Sequence, residues 1–83
     1  MAKPLTLEIG VIYVTKIWSD SWSVHKDGKV VMLGLDEKTW LKLTESKNNN
    51  GILTFQVMSG VFSGCAAYVH MSKINSKLLE ERS

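Results

Sequence analysis

Eighty-three residues make one domain, residues 1–83, and a chain this short buries only about 60–65% of the surface its unfolded form exposes. With 45% hydrophobic and 22% charged residues, the composition is that of a folded globular protein and not of a disordered tail. The net charge is +2, from ten basic and eight acidic residues; Arg82 is the sole arginine, so the planar fork that usually reads guanine or clamps phosphate is scarce.

The N-terminal stretch "MAKPLTLEIG" lacks a 7–15-residue apolar core followed by small residues, so no secretory leader is expected from it. Leu5-Thr6-Leu7-Glu8-Ile9 alternates apolar and polar residues, which predicts a half-buried strand ending in a bend at Gly10. Ile12 to Trp18 is rich in β-branched and aromatic residues without clean alternation, predicting a strand covered on both faces or bent. Alternation resumes over Ser21-Trp22-Ser23-Val24-His25, with Trp22 and Val24 on one side, the core side. Asp27-Gly28 supplies two residues tolerant of positive φ, so a tight hairpin returns the chain through Lys29-Val30-Val31-Met32-Leu33.

The next segment, "LDEKTWLKLTESKNNNG", admits two readings. Asp36 can cap a helix over 36–46 with Leu35, Trp40 and Leu43 on one side. Alternatively Leu41 and Leu43 alternate with Lys42 and Thr44 in a strand that turns through Asn48–Gly51 into Ile52–Met58. The strand is favoured because the return segment alternates cleanly. After the glycine-flanked stretch 59–64, Cys65–Met71 reads as a strand with Cys65, Ala67, Val69 and Met71 on one face and Tyr68 and His70 on the other. The tail "SKINSKLLEERS" reads as a short terminal helix carrying Ile74, Leu78 and Leu79 as its apolar stripe.

Together these elements predict a mainly β fold: a small SH3-like barrel or strongly bent antiparallel sheet of five to six strands with a short C-terminal helix. The alternatives are an OB-like barrel or an α+β fold with a helix at 36–46. No uncharged apolar run approaches the length of a membrane span, so no membrane contact is expected. One cysteine, Cys65, excludes an intramolecular disulfide and a multi-cysteine zinc site, and the cytoplasm is the natural compartment.

Chemistry-bearing constellations are sparse. Strand parity points Cys65 and His70 to opposite faces, against a thiol–imidazole pair. Two distant histidines, His25 and His70, lack metal-ligand spacing, and neither phosphate-loop pattern occurs. Asp27 and Asp36 are accounted for by turns or caps. No catalysis, cofactor or metal is therefore expected.

Binding is the expected function. Trp18, Trp22 and Trp40, with Lys16, Lys26 and Lys29, form the candidate surface, since three tryptophans are hard to bury in so small a core. Parity turns Trp22 inward and leaves Trp18 and Lys16 as the pair of greater interest. The competing reading, in which Trp18 and Trp22 both seal the core, stays open. Three functions compete: a protein-binding module acting as adaptor, regulator or inhibitor through a strand edge or the aromatic patch; a single-stranded nucleic-acid-binding barrel using Lys38 and Lys42 as well; and a homo-oligomeric structural or small-ligand-binding protein.

Overall fold

A computed structural model describes residues 6–82. It contains seven strands: β1 (Ile12–Thr15), β2 (Ser19–Lys26), β3 (Lys29–Leu35), β4 (Trp40–Glu45), β5 (Ile52–Val57), β6 (Ala66–His70) and β7 (Leu79–Glu81). All neighbours pair antiparallel in a single sheet of order β3-β2-β6-β5-β4-β1-β7.

Turn chemistry sets the hairpins. Asp27 (φ 52) and Gly28 (φ 79) both occupy the left-handed region, and Lys26 pairs directly with Lys29, the geometry that lets a two-residue turn follow strand twist. In the β4–β5 connection the Asn48 Oδ1 accepts from the backbone N–H groups of Asn50 and Ile52 at 2.8 and 3.0 Å. This side chain replaces ladder bonds that the turn cannot make.

With no second layer of helix, the sheet covers its apolar face by bending over itself. The Phe55 ring on β5 receives Trp22 from β2 and Tyr13 from β1, both edge-on, at centroid separations of 5.3 and 6.3 Å. Each partner lies two strands away, on opposite sides of β5. Around them Val24, Leu41, Leu43, Val57, Ala67, Val69 and Leu79 complete one buried cluster. The bend also brings the chain just beyond β3 to β1: the Thr15 hydroxyl donates to the Asp36 carbonyl at 2.7 Å and accepts from the Thr39 N–H at 2.8 Å.

Several expectations are corrected. β3 and β7 are the two edges and do not pair, so the barrel is not closed. The terminal helix is absent: the chain makes a three-residue 3₁₀ turn at Met71–Lys73, then β7 pairs with β1. Ile74, Leu78 and Leu79 are buried as expected, but as loop and edge strand, because pairing with β1 satisfies more backbone than an isolated terminal turn. The alternative helix at 36–46 is replaced by a turn at 37–38 and strand β4, and no helix interrupts the strand series as an OB-like barrel requires. Of the strand expected at Leu5–Ile9, Leu5 lies outside the described residues. Thr6–Glu8 are irregular and Ile9 begins a turn, anchored by a Gly10 N–H to Leu43 carbonyl bond at 2.8 Å. The strand expected from Ile12 to Trp18 stops at Thr15, and the one expected over Cys65–Met71 runs only from Ala66 to His70, so Met71, placed on one face with Cys65, Ala67 and Val69, is exposed while those three are buried.

Candidate interaction surface

The three tryptophans have three different environments. Trp22 is 1% exposed and belongs to the core; its neighbours on β2 alternate in and out, and parity fixes its direction. Trp18 is 51% exposed in the loop between β1 and β2, its ring against the backbone of Gly34 near the end of β3. Trp40 opens β4 on the outer face and is 39% exposed, with the Arg82 guanidinium 4.1 Å above its ring. That stacked cation covers one face of the indole.

The lysines do not gather around them. Lys16 donates from Nζ to the Ser76 carbonyl at 2.8 Å, and its N–H bonds the Leu78 carbonyl, tying the approach to β7 against β1. Lys26 and Lys29 flank the β2–β3 turn, at the far end of an eight-residue strand from Trp18, a separation of about 25 Å at ~3.3 Å per residue. Beside that turn lies an open cleft of about 460 Å³, bordered by Lys26, Asp27, Gly28, Ser63 and Tyr68. Within it His25 packs edge-on against Tyr68 at 4.7 Å and its Nε2 meets the Ser23 hydroxyl at 2.7 Å. Cys65 is buried beneath, a small core residue. The candidate residues thus divide into a loop pair at one end of β2 and a hairpin pair at the other, with Trp22 in the core and Trp40 on the far side of the sheet.

One run of exposed apolar side chains is not among the residues that the sequence singled out. Val30, Val31, Met32 and Leu33 occupy successive positions of β3 and are all exposed, from 40% at Met32 to 66% at Leu33. A register shift between Val24 and His25 of β2 places an extra residue on β3, a bulge that disturbs the alternation there. Because β3 is an edge, one side of its backbone pairs with no other strand among the described residues, leaving N–H and C=O groups beside these side chains. Trp18 extends the apolar surface at the Gly34 end.

The other edge is built differently. β7 is three residues long, and Glu80, Glu81 and Arg82 are exposed there. A short charged edge resists pairing; a seven-residue edge with four exposed apolar side chains invites it. The sequence signal was the unbroken run VVML, but only the strand order shows that this run lies at the margin of the sheet instead of its middle.

Among the described residues no group of three or more His, Cys, Asp or Glu side chains stands close enough to hold a metal ion, and no helix is long and apolar enough to cross a membrane. Searches for related proteins matched no family model, no curated protein and no solved structure, so the functional reading rests on this chain's own surface.

Proposed function

We propose that this chain is a non-enzymatic protein-binding module, a small adaptor, regulator or inhibitor, that takes an extended segment of its partner as an added strand along β3. The carrying observation is the conjunction on one edge of free backbone groups and four exposed apolar side chains, Val30 to Leu33. An incoming strand gains main-chain hydrogen bonds from the edge, while side chains on alternate faces confer preference for its sequence. Trp18, half-exposed beside Gly34, offers an aromatic contact at the end of that track.

Selection from a displayed library of random peptides, followed by amide exchange on the complex, tests the reading. Bound peptide is expected to slow exchange over residues 29–35 and to lose affinity at least about tenfold with Val31→Lys or Leu33→Lys, whose exposed positions leave the core intact. Protection confined to other strands would overturn it. So would the absence of any selected ligand coupled to quenching of tryptophan fluorescence by single-stranded oligonucleotide at low salt.

A further inference from the structure

We infer that a second copy of this chain occupies the β3 edge, the two β3 strands running antiparallel about a twofold axis so that two seven-stranded sheets join into one. This rests on the strand-addition reading above and names its occupant. The order of charges and apolar residues along the strand is what selects that occupant.

At the hairpin end of β3 stand Lys26, Asp27 and Lys29, all exposed, with net charge +1; at the opposite end stand Asp36, Glu37 and Lys38, also exposed, with net charge −1. Val30 to Leu33 lie between them without a charge. A strand that pairs antiparallel with β3 meets its acidic end first, so the complementary segment reads basic, apolar, acidic from N- to C-terminus. β3 with its flanks has that order itself. Antiparallel self-pairing therefore sets each basic end beside the other copy's acidic end, twice, and lays apolar residues on apolar residues. A parallel arrangement would set like ends together.

The twofold operation makes this an isologous contact that closes at two copies, leaving β7 as the edge at both ends of the joined sheet. Those outer edges are short and carry Glu80 and Glu81, so growth beyond the dimer is opposed. A self-paired copy takes the same backbone groups as any partner strand, so dimerisation and partner capture exclude one another.

Sedimentation velocity of the intact chain from about 1 to about 500 µM tests the inference, the range suited to a contact at the small end of specific interfaces. A reversible monomer–dimer equilibrium is expected. Val31→Lys is expected to raise the dimer Kd at least about tenfold, equivalent to ~1.4 kcal/mol. Lys29→Glu and Asp36→Lys are each expected to weaken the dimer, and the double variant to recover most of the loss. Leu33→Lys repeats the apolar test at a second position, and denaturant midpoints followed by the buried Trp22 verify that each variant is folded.

A wild-type monomer throughout the range overturns the inference, as does a dimer indifferent to both Val31→Lys and Leu33→Lys. A double charge variant no better than either single variant overturns the antiparallel arrangement. If the wild type stays monomeric while a selected peptide still protects residues 29–35, strand addition stands and only self-pairing fails.

Discussion

The ring of Trp18 lies on the backbone of Gly34: its Cζ2 is 3.0 Å from the position a β-carbon would take there, and the Ser19 carbonyl oxygen is 3.1 Å from the same point. Gly34 has φ +129, a region that residues with a side chain rarely adopt. The glycine in "MLGLDE" therefore lets the β1–β2 loop close onto the end of β3.

Gly34→Ala is accordingly expected to destabilise the fold by about 1–3 kcal/mol. In a Trp18→Ala background the loss should be smaller by about 0.5 kcal/mol or more, because the ring contact is removed while the backbone conformation and Ser19 remain. Urea midpoints of the four proteins in the cycle measure the coupling; strict additivity would mean that the ring yields freely.

Thr15 ties β1 to the turn after β3. It is 1% exposed and its hydroxyl bridges two backbone groups, donating to the Asp36 carbonyl and accepting from the Thr39 N–H. Thr15→Val preserves shape but strands the Thr39 N–H, while the Asp36 carbonyl keeps the Thr39 hydroxyl as a donor at 2.8 Å; the cost should be about 1–3 kcal/mol. Thr15→Ser keeps the hydroxyl and should cost no more than about 1 kcal/mol. Chemical denaturation gives the two values, and faster exchange of the Thr39 amide in Thr15→Val localises the effect.

Local signals made much of this fold legible. Asp27-Gly28 and Asn48–Gly51 specified their turns, and the alternation of Trp22 with Val24, or of Leu53, Phe55 and Val57, specified which side chains enter the core. What depends on non-local pairing was not legible. The run Ile74, Leu78, Leu79 has the same apolar content as a helical stripe or as a loop and strand, and pairing of Leu79 with Thr15 decides between them. Likewise the VVML run is legible as the return strand of a hairpin, but only the strand order places it at the edge. The candidate site suffered most: neighbours in sequence, Trp18 and Lys26, are held apart by the length of β2, while Trp18 and Gly34 meet only through the fold.

Trp22 is the largest fully buried side chain, and its indole Nε1 has no hydrogen-bond partner among the described residues. Its contribution is therefore area and its edge-on contact with Phe55, offset by an unpaired N–H. Trp22→Ala should cost about 3–5 kcal/mol, enough to unfold much of a domain of this size. Trp22→Phe retains an aromatic ring and removes the N–H, so its cost should stay below about 2 kcal/mol. Thermal unfolding followed by circular dichroism orders the three proteins; equal losses for both variants would show that the indole N–H is satisfied in solution.

The last strand offers a test of the corrected C-terminus. In β7, Leu79 is completely buried and Glu80 is exposed, and just past the strand the Arg82 N–H donates to the Ile12 carbonyl at 2.9 Å. Leu79→Ala opens the core beneath Thr15 and should cost about 2–5 kcal/mol, whereas Glu80→Ala should stay within about 0.5 kcal/mol. A helix would place Leu79 and Glu80 about 100° apart, and a strand places them on opposite faces, so carbon chemical shifts of residues 79–81 complement the stability data. Extended-strand shifts together with the large loss at Leu79 establish that the chain ends its core on β1; helical shifts there would return the tail to an amphipathic helix and leave β1 as the edge.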